Sequence, residues 1–246
     1  MVHKMDFLQH FRDAEANGLI GVRGYQSYFQ DAATEYMYHL GKGNDILPEQ
    51  YHMAWVYTKY RLHVYKEVDY AYPLHVETWI SRLNRARLWQ DMEIRCGEEL
   101  CCRGRLENCI LHLEEQTLKP ISAVDFPMDV KEAGVPDLPA FARAEYASEG
   151  MEERFIYHVR YADLDKSHHM QNLRYLPMFM DACPPSFYEK YSVCDMELHY
   201  IQQARYGDAL HILAKEEGET VEFLAVTADG VKAAWCRLGL EKREEE

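Results

Sequence analysis

Two stretches of the chain share a pattern that predicts an internal duplication. The first is Leu62-His-Val-Tyr-Lys-Glu-Val-Asp-Tyr-Ala-Tyr-Pro-Leu-His-Val76, and the second is Leu198-His-Tyr-Ile-Gln-Gln-Ala-Arg-Tyr-Gly-Asp-Ala-Leu-His-Ile212. An offset of 136 residues, without a gap, superimposes two Leu-His pairs and places Tyr70 on Tyr206. A similar order of predicted elements surrounds both stretches. We therefore interpret the chain as two copies of one unit.

The first copy predicts a helix followed by antiparallel strands. Apolar side chains recur at helical spacing after Ser27, and Ser27 with Gln30 suggests a capping box at the helix start, while Gly41 suggests its end. Alternating apolar and polar residues then predict strands at residues 55–65, 74–80, 88–96 and 100–113.

The second copy repeats this order after a stretch rich in proline, glycine and acidic residues. A strand is predicted at residues 155–161, and an apolar run at helical spacing spans residues 173–183, which Pro184 and Pro185 should end. Further strands are predicted at residues 197–200, 209–213, 221–226 and 233–240. The sequence thus predicts an α+β fold: an N-terminal domain (1–125), a linker (126–150) and a C-terminal domain (151–246), each domain a long helix against a curved antiparallel sheet.

Composition narrows the function classes. With 246 residues and 48% hydrophobic content the chain can bury substantial cores, and its net charge of −14 argues against nucleic acid as the main partner. It has no long apolar run and no signal-peptide core near Met1, so we expect a soluble cytoplasmic protein.

Seven cysteines without framework spacing suit a reducing compartment. The spacing of Cys96, Cys101, Cys102 and Cys109 favours core filling, and we predict no metal site and no cofactor.

A polar loop separates the predicted strand and helix of the second copy. It reads Tyr161-Ala-Asp-Leu-Asp-Lys-Ser-His-His-Met-Gln-Asn-Leu-Arg-Tyr175 and holds carboxylates, a hydroxyl and two adjacent imidazoles. Such groups can orient a water molecule or take up a proton, which suggests an active-site loop. The alternative is a capped turn with surface histidines.

This loop resembles the second hot-dog domain of plant and bacterial acyl-acyl-carrier-protein (acyl-ACP) thioesterases. The family pattern is roughly Asp-Leu-Asp-x-Asn-x-His-x-Asn-Asn-x-x-Tyr, and the matching residues here are Asp163, Leu164, Asp165, His169, Asn172 and Tyr175. Trp55-Val-Tyr-Thr58 and Glu77-Thr-Trp79 extend the resemblance to the first half, so that it spans about residues 7–242. The resemblance implies two tandem hot-dog domains that hydrolyse the thioester between a fatty acyl chain and its carrier protein, ending chain elongation.

The resemblance also implies roles for individual residues. Asp165 and His169 match catalytic positions of the second domain. We expect His169 to act on the attacking water, Asp165 to fix its tautomer and favour its charged form, and amides at the helix start near Asn172 to stabilise the oxyanion. The first domain supplies most of the acyl pocket in this family, and the candidate wall residues here are Tyr28, Phe29, Ala32, Ala33 and Tyr36.

The chain departs from the family pattern in three places. Ser167 replaces the usual Asn, Gln203 stands where a catalytic Glu is expected, and Ala204 stands where Cys is common. Gln203 can orient water but cannot accept its proton. We therefore expect Ser167 and Gln203 to assist, with Asp165 and His169 as the acid–base pair.

The carrier and the oligomeric state stay open at this level. Carrier protein is acidic, so docking on a chain of charge −14 requires a local cationic patch. Candidates for that patch are Arg82, Arg85, Arg87, Arg103 and Arg105. The alternatives are an acyl-coenzyme-A thioesterase or an acyl-binding hot-dog protein with weakened catalysis. We expect a monomer or a homodimer.

Overall fold

The chain folds into two compact units. The computed structural model describes residues 2–129 and 138–243. Unit 1 is Met1–Pro139 and unit 2 is Ala140–Glu246. The division falls inside the predicted linker 126–150, of which residues 130–137 lie outside the described residues. No helix of the described part is long and apolar enough to cross a membrane.

Unit 1 is an antiparallel sheet with one long helix. The helices are α1 (Val22–His39) and α2 (Leu47–Tyr51). The strands are β1 (His3–Phe7), β2 (Leu19–Ile20), β3 (Met53–Val64), β4 (Val68–Asp69), β5 (Leu74–Leu83), β6 (Leu88–Cys96), β7 (Glu99–His112) and β8 (Thr117–Lys119). In sheet order they run β1, β5, β6, β7, β3, with β8 also paired to β7, and β2 pairs separately with β4.

Unit 2 has the same sheet connectivity. Its strands are β9 (Glu152–His158), β10 (Tyr191–Tyr200), β11 (Ala209–Glu217), β12 (Thr220–Thr227) and β13 (Lys232–Lys242), and its helices are α3 (Tyr175–Met180) and α4 (Pro185–Lys190). In sheet order the strands run β9, β11, β12, β13, β10. If only the five strands of each of these orders are counted along the chain, the first strand pairs with the third and the second pairs with the fifth in both units.

The repeated Leu-His pairs occupy matching places in the two sheets. Leu74 and Leu210 are buried on β5 and β11. The histidine after each leucine contacts a carboxylate of the neighbouring strand: His75 Nδ1 lies 2.7 Å from Asp6 Oδ1, and His211 Nδ1 lies 2.6 Å from Glu153 Oε2. Neighbouring residues of a strand face opposite sides of the sheet. The leucine therefore faces the core, and the histidine that follows it faces the other side, where it contacts the carboxylate.

Helix α1 packs its apolar face on the sheet of unit 1. Its end agrees with the sequence, because Gly41 adopts a φ of 65° just beyond the last turn. The predicted start is wrong: the helix begins at Val22, with Gly21 as N-cap, and Ser27 lies in its interior. Val22 and Tyr25 extend the buried stripe by more than a turn, so packing outweighs the local capping signal.

The helix of unit 2 is shorter than predicted. Residues Asn172–Arg174 form a 3-10 turn, and α3 then covers six residues. Pro177 sits in the first turn of α3 and has no amide hydrogen for the carbonyl of Leu173, which explains why the α-helix does not start earlier. The helix ends at Met180, before the Pro184-Pro185 pair, and Pro185 begins α4 instead of ending α3.

Candidate active site

Asp163 holds the two ends of the polar loop together. Its side chain is buried, and Oδ2 accepts a hydrogen bond from the Arg160 amide at 2.9 Å. Its carbonyl accepts from the Gln171 amide at 2.8 Å, and Arg174 Nε lies 3.7 Å from Oδ1. Between these anchors the chain turns back on itself, since Leu164 bridges Met170 and the Asp165 amide donates to the His169 carbonyl at 2.9 Å.

The turn brings Asp165, Ser167 and His169 into one hydrogen-bonded chain. Ser167 Oγ lies 2.6 Å from Asp165 Oδ1 and 3.0 Å from His169 Nδ1. The Ser167 amide also donates to Asp165 Oδ1, at 2.7 Å. The sequence predicts that Asp165 fixes the tautomer of His169 directly. In the structure the hydroxyl of Ser167 lies between them.

The donors in this chain determine the tautomer of neutral His169. An ionised carboxylate only accepts, so the single hydroxyl hydrogen of Ser167 points to Asp165. The hydroxyl oxygen must then accept from Nδ1–H of His169. Nε2 of the same ring is left with its lone pair, which is the form that a general base requires.

Burial and a nearby cation keep His169 neutral. Burial is the largest cause of the lowered pKa of His169, and the Arg205 guanidinium is the second. Asp165 raises this pKa and so favours the charged form of His169, but burial and Arg205 outweigh its effect. The local sequence gave no signal for Arg205, which forms a backbone bridge with His169.

His168 stays apart from the hydrogen-bonded chain. It is exposed and adopts a left-handed φ of 62°, and its amide donates to the Asp165 carbonyl at 3.1 Å. The position serves the turn geometry of the loop.

Gln203 lies near the loop without joining it. The Met170 amide donates to the Ala204 carbonyl at 2.8 Å, which places the segment after β10 alongside the loop. Gln203 is exposed, and within the described chain no hydrogen bond joins its side chain to Asp165, Ser167 or His169. With Ala204 it lines an open depression of about 380 Å³ in unit 2.

Asn172 begins the short 3-10 turn before α3. Its carbonyl accepts a hydrogen bond from the Tyr200 hydroxyl at 3.3 Å. The first backbone bond of the turn runs from the Arg174 amide to the Gln171 carbonyl at 3.0 Å. The amides of Asn172 and Leu173 come before the first hydrogen bond of the turn. At this position the amides of a helical segment have no partner within the segment itself.

The five candidate pocket residues are all buried on α1 in unit 1. Tyr28, Phe29, Ala32, Ala33 and Tyr36 are each 4% exposed or less. The Tyr28 hydroxyl donates to Asp13 Oδ2 at 2.8 Å, so its polar end has a hydrogen-bond partner. Phe29 packs on Gly104 of β7, where a Cβ would lie only 2.5 Å from the ring.

The arginines proposed for carrier docking separate into two groups. Arg82 and Arg85 are exposed and Arg87 is half-buried, and all three lie at the β5–β6 turn. Arg105 is only 2% exposed, and its Nε lies 2.6 Å from Oδ1 of the buried Asp91. The assignment of Arg105 to a surface patch is therefore wrong. Arg103 is half-buried, with Nε 2.8 Å from Glu93 Oε1.

Comparison with known proteins identifies the family. The acyl-ACP thioesterase N-terminal domain model matches residues 1–122, and the C-terminal domain model matches residues 146–235. The crystal structure of an acyl-ACP thioesterase from Bacteroides thetaiotaomicron is similar, with a TM-score of 0.86, 15% identity and 98% of each chain covered. The 12:0-ACP thioesterase from Umbellularia californica has a TM-score of 0.83, 16% identity and 98% of each chain covered. A search of curated protein sequences found no match. The two domain models together account for most of the sequence, and this chain belongs to the acyl-ACP thioesterase family of thioester hydrolases.

Proposed function

We propose that the protein hydrolyses the thioester between a fatty acyl chain and acyl carrier protein, releasing free fatty acid and ending elongation. The observation that carries this proposal is the Asp165–Ser167–His169 chain, which leaves Nε2 of His169 free to accept a proton. Membership of the acyl-ACP thioesterase family supports the substrate class.

His169 acts as general base in the first step. Its Nε2 takes a proton from water as the water oxygen attacks the thioester carbonyl carbon, which gives a tetrahedral oxyanion and an imidazolium. Nδ1–H keeps its bond to Ser167, and the negative charge of Asp165 stabilises the imidazolium through that hydroxyl. In the second step the C–S bond breaks, and His169 returns the proton to the leaving sulfur. The products are a carboxylic acid and the carrier thiol.

Backbone amides are proposed to stabilise the oxyanion. The first amides of the segment before α3, those of Asn172 and Leu173, are the candidates. Gln203 is kept as a residue that orients water, since an amide can hold a water molecule but cannot remove its proton.

The acyl chain and the carrier are assigned to unit 1. We place the acyl chain along α1, against Tyr28, Phe29, Ala32, Ala33 and Tyr36. The acidic carrier is proposed to dock on Arg82, Arg85 and Arg87, because these cations cluster at one turn of an otherwise acidic chain.

Alanine variants of the acid–base pair test the mechanism. His169→Ala and Asp165→Ala are expected to lower kcat on acyl-ACP by about 100-fold, in the usual range for loss of general base catalysis. The matched control is His168→Asn, because asparagine tolerates the left-handed φ of that position. This control should keep near-normal turnover. A loss of less than tenfold in both alanine variants would contradict the assignment.

A substrate panel tests the carrier. The wild-type protein is assayed on acyl-ACP and acyl-coenzyme-A esters of graded length, and kcat/KM should be highest for one acyl-ACP length. Higher values on coenzyme A esters would favour the alternative thioesterase. Tight binding of fatty acid without turnover on either series would favour an acyl-binding protein.

A further inference from the structure

Two histidines and a glutamate of unit 1 converge outside the proposed catalytic loop. His3 comes from β1, while Glu35 and His39 lie one turn apart on α1. One possible ligand atom from each residue lies within 4.8 Å of the other two. Nε2 of His3 lies 3.5 Å from Glu35 Oε1, and Nε2 of His39 lies 3.3 Å from the same oxygen.

These distances match the edges of a tetrahedral zinc site. With zinc–nitrogen and zinc–oxygen bonds near 2.0–2.2 Å, neighbouring ligand atoms are about 3.4 Å apart. Both edges that meet at Glu35 already have this length. Two imidazoles and one carboxylate form a donor set that prefers Zn²⁺ and similar transition metals to Mg²⁺ or Ca²⁺.

The environment of His3 is a second observation that points to a ligand. Its Nε2 is shielded from solvent and has no hydrogen-bond partner among the described residues, although it faces Glu35. The ring of His3 is stacked on Tyr36, with centroids 5.6 Å apart and an interplanar angle of 10°. A ring nitrogen that is shielded from solvent and has no hydrogen-bond partner is costly unless something binds it.

We propose that His3, Glu35 and His39 bind one Zn²⁺ ion and thereby join β1 to α1. Three protein ligands leave the fourth tetrahedral position to water. Bound metal would fasten the first strand of the sheet to the helix that carries the candidate acyl-pocket residues. The site is independent of the proposed reaction, and its test does not rely on turnover.

Calorimetric titration with ZnCl₂ tests the proposal on the full-length protein after treatment with a chelator. The wild type should bind one Zn²⁺ per chain at these residues. His39→Ala and Glu35→Gln should weaken that event by about tenfold or more. Both side chains are partly or largely exposed, so these variants should fold. The control His158→Ala removes an exposed histidine elsewhere and should bind as the wild type does.

Two further readouts distinguish metal binding at this site from metal binding at the cysteines. Zinc should raise the Tm of the wild type more than that of His39→Ala, because only the intact site binds the folded state. Co²⁺ in the wild type should give visible absorption without a thiolate charge-transfer band, since no Cys contributes to the cluster. Equal zinc affinity and equal Tm shifts in all variants, a thiolate band, or no saturable binding would overturn the proposal.

Discussion

The hydroxyl oxygen of Ser167 lies 3.0 Å from Nδ1 of His169. The same hydroxyl donates to Asp165. The carboxylate therefore orients the serine hydroxyl, and the hydroxyl in turn orients the imidazole of His169. A longer asparagine is usual at this position in the family, and the serine hydroxyl has a single donor hydrogen. The serine at this position therefore fixes the proton on one nitrogen of His169.

Removing that hydroxyl is expected to lower turnover without loss of substrate binding. Ser167→Ala should reduce kcat on acyl-ACP by about 10- to 100-fold and leave KM nearly unchanged, because the tautomer of His169 is no longer fixed. Ser167→Asn, which restores the family residue, should retain more activity. Steady-state kinetics measures both, and a Ser167→Ala enzyme with wild-type kcat would exclude the hydrogen-bonded chain from catalysis.

The acid limb of the pH–rate profile should report the pKa of His169, which must be neutral to act as a base. Burial and Arg205 lower the pKa of His169 below its usual 6.5, so kcat/KM should rise with pH around a midpoint below that value. Arg205→Ala removes a cation that disfavours the imidazolium, and the midpoint should move to higher pH. Arg205→Lys keeps the charge and serves as the control. An unchanged midpoint in Arg205→Ala would count against His169 as the titrating base.

The close approach of β7 to α1 makes Gly104 a sensitive position. A Cβ at Gly104 would lie 2.5 Å from Phe29 Cε2 and 2.8 Å from Leu62 Cδ2. Gly104→Ala is expected to lower the free energy of unfolding by about 1–3 kcal/mol through overpacking. Urea denaturation measures the loss. Adding Phe29→Leu should recover part of it, and strictly additive losses in the double variant would argue against this contact.

The buried pair Asp91–Arg105 should contribute strongly to the stability of the native fold. Arg105→Ala leaves the fully buried Asp91 carboxylate without its partner and should cost about 3–5 kcal/mol in unfolding free energy. Arg82→Ala, at an exposed arginine, should change stability by only about 0.5 kcal/mol. The comparison uses equilibrium denaturation, and equal losses in the two variants would contradict the burial of the pair.

Charge reversal at the β5–β6 turn tests carrier docking. Arg85→Glu should raise KM for acyl-ACP several-fold at low ionic strength and leave kcat nearly unchanged, and added salt should diminish the difference. Lys66→Glu makes the same charge change near the opposite end of β6, where Lys66 pairs with Glu99. If both variants raise KM equally, the effect comes from net charge and the turn is not the docking site.

Much of the fold follows from local sequence patterns. Strand β6 has the predicted bounds, Leu88–Cys96, and Gly41, the predicted end of α1, adopts a φ of 65°. The start of α1 was harder to predict. Ser27 has the chemistry of a cap, but the buried stripe continues to Val22, and burial of a whole helical turn outweighs one side-chain hydrogen bond.

The sequence likewise predicts only part of the candidate site. Asp165, Ser167 and His169 lie within five residues, so their type and spacing alone identify a polar loop and its family resemblance. The sequence likewise predicted most of the strands, because alternation along a strand records which of its faces is buried. Tertiary structure alone decided that Arg205 lowers the pKa of His169, that Arg105 is buried against Asp91, and that His3 meets Glu35 and His39. The physical reason is distance along the chain: charge, burial and ligand geometry depend on separation in space, and only folding brings these residues together.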